Sequence, residues 1–203
     1  MKIANYYFAC IMLLLTFKIL RVNGTTVTLL NRNIVTYGQS NQVCKNGQST
    51  TVTKEINAAI YVLSNTRTNF NGNRWNRRME QLDRESKDEK GHIIASSFGG
   101  PAEEWNLVPQ DISINRKINA QSSILNRWDE VEKWIRDQVK KNAVPVTYKI
   151  SIVYSNQNGC RPTHFKISAT NPRNQGIKGE FDNGPYGSFA ISSNGSKNRP
   201  RKP

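Results

Sequence analysis

The sequence is poor in cysteine, histidine and acids, and each shortage narrows what the protein can do. Three cysteines occur in 203 residues. Neither Cys44 nor Cys160 has a second Cys or His at ligand spacing, which argues against a thiolate metal site. Of two histidines, His164 sits in a strand-like stretch without a ligand-spaced companion and reads as structural. His92 is then the histidine left for chemistry. Fifteen acids stand against 29 lysines and arginines, a formal charge of +14. Such a surplus points to a polyanion (DNA, RNA, an acidic glycan or an anionic membrane) without choosing among them. There are no internal repeats, and beyond the first two dozen residues no segment is apolar enough to cross a bilayer.

What is present begins with a leader. Lys2 opens a short basic region, residues 6–15 are almost wholly apolar, and Val22-Asn23-Gly24 supplies small or apolar residues at the usual cleavage positions. This layout predicts a signal peptide over 1–24 and a secreted, extracellular protein without stable membrane association. Cleavage leaves about 180 residues, enough for one domain with a real core. The leader removes Lys2, Lys18 and Arg21 but no acid, so the mature protein stays strongly cationic. Cys10 leaves with it, and Cys44 and Cys160 are expected to pair in an oxidising compartment. A disulfide closing so long a loop contributes on the order of 4–5 kcal/mol in the chain-entropy view.

Hydrophobic periodicity sets the remaining expectations. Residues 26–37 are β-branched and partly alternating, a strand or hairpin at a sheet edge. Residues 53–64 fit a short helix and, nearly as well, a strand; 65–76 read as a loop. Apolar residues recur at three- and four-residue steps over 113–141, the clearest helical pattern. Residues 144–154 and 163–169 look like a terminal hairpin. From residue 171 Gly, Asn, Pro and Ser dominate, and 197–203 are basic, so disorder is expected there. The folded domain is expected over 25–190, with 191–203 a disordered basic tail.

The chemistry concentrates in residues 88–115. His92 follows a glycine, Phe98-Gly99-Gly100-Pro101 forces a turn, a short strand carries Asn106, and Asn115 stands at the mouth of the long helix. An Asn side-chain oxygen is a competent ligand for a hard cation, and a neutral imidazole beside it can deprotonate a water.

The order Gly91-His92, Ile93-Ile94-Ala95, Phe98-Gly99-Gly100-Pro101, Asn106-Leu107-Val108-Pro109-Gln110, Asn115 and then Trp128-x-x-x-Glu132 resembles the DNA/RNA non-specific endonuclease family, members of the ββα-metal (His-Me finger) nucleases. The resemblance runs over about 83–154. It implies an α+β fold, a mainly antiparallel sheet with an embedded ββα-metal motif. It also implies cleavage of DNA and RNA with one Mg²⁺ or a similar ion such as Mn²⁺. His92 would be the general base and Asn115 the direct metal ligand. Asn106 would orient His92 or the metal's water shell, and Glu132 would hold a metal-bound water. The family commonly reads Asp-Arg-Gly-His; here Glu89-Lys90-Gly91-His92 stands, with Asp88 one place earlier. Lys90 keeps the charge without the bidentate fork of arginine, which makes Arg77, Arg78 and Arg84 candidates for phosphate contact. One straight helix would hold Asn115 and Glu132 roughly 25 Å apart, so sharing a metal requires a break near 119–123. Two rival classes are a degenerate nuclease fold that only binds nucleic acid and a cationic defence or toxin protein.

Overall fold

The structure, a computed structural model, describes residues 24–29, 32–115, 127–155, 158–184 and 189–194. The expected leader up to residue 23, the helix break expected at 119–123 and the tail from residue 195 lie outside these residues.

Among the described residues nine strands form in chain order: β1 (Gly24–Thr28), β2 (Ile34–Val43), β3 (Ser49–Ile60), β4 (Asp88–His92), β5 (Leu107–Asp111), β6 (Val146–Tyr154), β7 (Pro162–Thr170), β8 (Gly176–Asp182) and β9 (Phe189–Asn194). Seven build one antiparallel sheet in the order β1-β2-β3-β6-β7-β8-β9, while β4 and β5 pair separately. The cause is plainest in β6, where Val146, Tyr148, Ile150, Ile152 and Tyr154 alternate inward with exposed residues between them. A period of two fits only a half-buried strand.

β3 and β6 are sheet neighbours although residues 61–145 separate them in sequence. That insert carries α1 (Asn73–Gln81), the β4–β5 hairpin, α2 (Ile112–Asn115) and α3 (Arg127–Lys140). The fold is therefore α+β and mainly antiparallel, as expected, with a strand-strand-helix unit set against the large sheet. Helix α3 packs on β6, β7 and β8. Trp128, Val131, Ile135 and Val139 recur on its buried face, and the Trp128 ring meets Phe165 edge-on at 5.1 Å. Burying each such side chain contributes roughly 1.5–3 kcal/mol.

Three expectations are corrected. Residues 53–60 continue β3 rather than forming a helix. Ile56 and Ile60 stand four apart, a spacing that satisfies both periods, and buried Ala58 between them decides for the strand. The loop expected through 76 ends at 72, because Trp75 and Met79 begin a helical face buried with Phe70 and Leu107. The disorder expected from residue 171 does not hold through Asn194. Ile177 and Phe181 alternate into the core while β8 pairs with β7, and β9 closes the sheet four residues past the expected domain end. Of the helical pattern expected over 113–141, α2 (Ile112–Asn115) and α3 (Arg127–Lys140) are described and residues 116–126 are not.

Cys44 and Cys160 form the expected disulfide. Asp83 accepts the backbone N–H of Cys160 at 2.6 Å and of Lys45 at 3.0 Å, tying both ends of the bridge to the insert.

Candidate active site

The β4–β5–α2 unit is fixed to the frame by buried polar groups. Arg161, entering β7, grips the fully buried carboxylate of Asp88 at the start of β4 with two bonds of 2.7 and 2.6 Å. Asn183 follows β8; its amide donates to Pro109 O and Pro162 O, and its oxygen accepts from Asp111 N at 2.8 Å. Asp111 in turn accepts from Ser113 N at 2.9 Å, an N-cap that starts α2 and thereby places Asn115.

Two glycines permit close approaches around His92. A Cβ on Gly91 would lie 2.5 Å from Gln110 Oε1, and one on Gly100 would overlap the carbonyl of Ile94. Into that tight turn reaches the Asn106 carboxamide, which accepts from Ile94 N at 2.6 Å and donates to Ile94 O at 3.0 Å and Pro101 O at 2.9 Å. Asn106 is completely buried. It thus braces the chain two residues after His92.

His92 ends β4 at the floor of a polar cleft of about 860 Å³. Its ring packs against Phe70 with centroids 4.3 Å apart, and Nε2 lies 3.3 Å from Thr68 Oγ1. The single hydroxyl proton of Thr68 is given to Gly100 O at 2.6 Å. Thr68 can therefore only accept from the imidazole, which assigns the proton to Nε2 and leaves the lone pair on Nδ1. Burial, and secondarily the charge of Arg67, lowers the His92 pKa to about 4. The imidazole is neutral at physiological pH, the form that can accept a proton.

A smaller cavity of about 230 Å³ brings together His92, Asn115, Gln110, Trp128, Asp129 and Glu132. α2 and α3 thus deliver Asn115 and Glu132 to one place. Asn115 Nδ2 donates to Glu89 Oε2 at 2.8 Å. That bond orients the amide through its nitrogen and leaves its oxygen as the ligand atom. Glu132 is pushed up to about 7 by burial, against the opposing charge of Arg136 at 3.5 Å. An amide oxygen and carboxylates make an all-oxygen donor set suited to a hard divalent cation. A half-buried carboxyl whose surroundings favour its protonated form is one that a cation would ionise. The residues present therefore fit Mg²⁺ or Mn²⁺. Among the described residues, a cluster of Cys44, Cys160 and Asp83 also meets ligand spacing, but the disulfide removes its thiolates.

The other candidates separate cleanly. Lys90 lines the large cleft and donates to Phe70 O at 3.0 Å; Arg84 lines it too. Arg78 is buried and spent on Thr50 Oγ1 and Thr51 O, where it fastens α1 to β3. Arg77 is exposed on α1 and is not among the residues lining the cleft. Arg67, Thr68 and Phe70, from the stretch expected as loop, line it as well. Nothing in their spacing marks them: the one signal is an arginine in a polar stretch.

A profile of the DNA/RNA non-specific endonuclease family matches residues 32–172. The Type VII secretion system protein EssD of Staphylococcus aureus strain USA300 is 34% identical over 85 residues, which cover 42% of this chain and 13% of EssD. EssD of strain NCTC 8325 matches to the same extent. Crystal structures of NucA from Streptococcus agalactiae cover 84% of this chain and 91% of their own. They match at 15% identity and a TM-score of 0.45 with no metal bound, and at 14% and 0.48 with magnesium bound.

Proposed function

This chain belongs to the DNA/RNA non-specific endonuclease family, and from that membership we propose that it is a secreted, metal-dependent endonuclease hydrolysing phosphodiester bonds of both DNA and RNA. The observation that carries the reading is the convergence of His92, Asn115 and Glu132 on one cavity. Three residues from β4, α2 and α3 would not need to meet there for nucleic acid simply to be bound.

Asn115 and Glu132 would hold the cation, which supplies Lewis-acid stabilisation of charge on the phosphate oxygens. His92, neutral and with its Nδ1 lone pair available, takes a proton from a water. The water oxygen attacks phosphorus, the P–O3′ bond breaks, and the departing 3′-oxygen is protonated from solvent. The products are a 5′-phosphate and a 3′-hydroxyl. Lys90, Arg67 and Arg84 hold the phosphates flanking the bond. Contacts to the backbone carry no base information, which accounts for a substrate range spanning both nucleic acids, and they make binding fall steeply with salt. Glu89 supports the site by orienting Asn115, and Asn106 by bracing the turn behind His92.

The Cys44–Cys160 bridge supports an oxidising compartment. No described helix is long and apolar enough to cross a membrane.

Digestion of supercoiled plasmid by the mature protein with and without Mg²⁺, beside His92→Ala, tests the proposal. Nicking that requires Mg²⁺ and falls at least about a hundredfold in the variant is the expected result. If both proteins merely retard the plasmid on the gel, the chain binds nucleic acid and the enzymatic reading is wrong.

A further inference from the structure

Residues 61–72, between β3 and α1, form no strand or helix, so turns and side-chain bonds must fix them. Those bonds drape the stretch over the active site as a strap. Ser64 N donates to Ser97 O at 2.8 Å, Ser96 Oγ to Thr68 O at 3.1 Å, and Thr68 Oγ1 to Gly100 O at 2.6 Å. All three join the strap to residues 96–100, which lie between the Ile94 and Pro101 groups that Asn106 bonds. Farther along, Lys90 Nζ donates to Phe70 O at 3.0 Å. Thr68 is half-buried, and its hydroxyl oxygen lies 3.3 Å from His92 Nε2 and 3.2 Å from Ser96 Oγ. Phe70, two residues on, packs its ring against the imidazole. The strap therefore touches His92 both at its ring and at Nε2, and Ser96 lines both cavities that His92 lines.

We propose that Thr68 is a positioning residue for the general base: its hydroxyl, oriented by Gly100 O and Ser96, holds the His92 ring with Nε2 protonated and Nδ1 basic. A neutral imidazole has two tautomers, and rotation about χ2 exchanges the edges of the ring. Either freedom takes the basic nitrogen away from a waiting water. One acceptor at Nε2 removes both, since only the Nε2–H form in this rotamer makes the bond. Thr68 is that acceptor because its own proton is committed to Gly100 O. When Nδ1 takes a proton, Nε2 keeps its own, so the bond to Thr68 persists and strengthens as the ring becomes cationic. No group has to rearrange during the transfer. The inference rests on the reading of His92 as the base of a nuclease.

The test begins with ¹⁵N NMR of the mature protein at pH 8, above the ordinary imidazole range, with His92→Ala to assign the signals. The chain has one other histidine, His164, whose Nδ1 lies 2.7 Å from a carboxylate oxygen of Asp182 that can only accept. His164 thus carries a proton on Nδ1 and supplies the reference for the opposite arrangement. The wild type is expected to show His92 protonated at Nε2 and bare at Nδ1; the reverse would overturn the proposal. Kinetics on DNA in saturating Mg²⁺ follow. Thr68→Val keeps the shape and removes the acceptor, and is expected to lower kcat roughly tenfold at unchanged KM and to mix the His92 tautomers. Thr68→Ser keeps the hydroxyl and is expected to stay within about threefold of the wild type. A Thr68→Val protein with wild-type kcat and an unmixed tautomer would overturn the proposal. So would a Thr68→Ser protein as impaired as Thr68→Val, since the residue would then act through its methyl group. Should Thr68→Val fail to fold, the wild-type spectrum and the serine variant still decide. Should the wild type cut no DNA, the nuclease reading falls, while the spectrum still decides whether Thr68 holds the ring.

Discussion

The seven-stranded sheet and the β4–β5–α2 unit inserted between β3 and β6 share one apolar core but differ in what else fixes them. The inner face of the sheet is apolar side chain on side chain: Val35, Ile56, Ile150, Ile152, Phe165 and Ile167. Such contacts are strong in sum and individually undirected. The insert joins the same core through Ile94, Val108 and Ile135, but its β4–β5–α2 unit is held in addition by buried polar groups that each bond to several partners. Asn33 accepts from Tyr61 N and Val62 N and donates to Val62 O and Phe98 O; Asn106, Asn183 and the Asp88–Arg161 pair work alike. A hydrogen bond specifies distance and angle, whereas dispersion specifies neither. A site whose groups must be placed to a fraction of an ångström is therefore built on the second kind of support.

The comparison makes its largest prediction at Arg161. Replacing Arg161 with Met leaves Asp88 buried without a counter-charge, a change expected to cost about 3–5 kcal/mol and to lower the melting temperature by roughly 10 °C. A volume-conserving change in the frame, Ile150→Leu, is expected to cost less than about 1.5 kcal/mol. Thermal melts of the two variants side by side check this. Equal losses would mean that the insert and the frame are not held differently after all.

The same distinction separates what the sequence reveals from what it hides. The frame was legible through alternation in 144–154 and 163–169, where apolar residues fall on every second position. It failed at β8, because Gly176, Gly179 and the Asn-rich flanks masked the alternation of Ile177 and Phe181. At 53–60 a four-residue spacing suited two periods at once. In the insert, His92, Asn115 and Glu132 were found because their order resembles a family, and the structure brings all three to one cavity. Arg77 and Arg78 were proposed on charge alone. Charge does not tell a buried structural guanidinium from a substrate-facing one, and Arg78 proves to be the former. Arg67 is not legible in the sequence because its charge acts on His92 across 25 positions and leaves no periodic trace.

A smaller effect is expected from pH, with opposite signs at two residues of the site. Native His92 binds fewer protons than the unfolded chain between its folded value of about 4 and its ordinary 6.5. Its stabilising contribution is present above 6.5 and lost as pH falls through 4. Native Glu132 keeps its proton longer, with a folded value of about 7 against 4.5. Its contribution is present below 4.5 and lost as pH rises through 7. Each amounts to about 3 kcal/mol at most. Urea unfolding of metal-free wild type against Glu132→Gln should show the wild type losing ground between pH 4.5 and 7, and Mg²⁺ at pH 7 should restore it. A difference that stays flat across that interval would mean Glu132 is ionised throughout and sits in a more polar setting than its burial implies.

The smallest predicted effect divides the positive charges in the same way. Lys149 is exposed on the outer face of β6, while Lys90 lines the cleft beside His92. Both carry one charge and both contribute equally to the net surplus. If only that surplus mattered, Lys149→Ala and Lys90→Ala would weaken DNA binding alike. Placement predicts otherwise. Lys149→Ala should leave stability within about 0.5 kcal/mol and binding unchanged. Lys90→Ala should weaken binding and reduce the slope of log affinity against log salt by about one, the signature of one lost phosphate contact. Fluorescence titrations of a short duplex at several salt concentrations measure both slopes. An unchanged slope in Lys90→Ala would assign that lysine wholly to its bond with Phe70 O and leave the phosphate to Arg67 and Arg84.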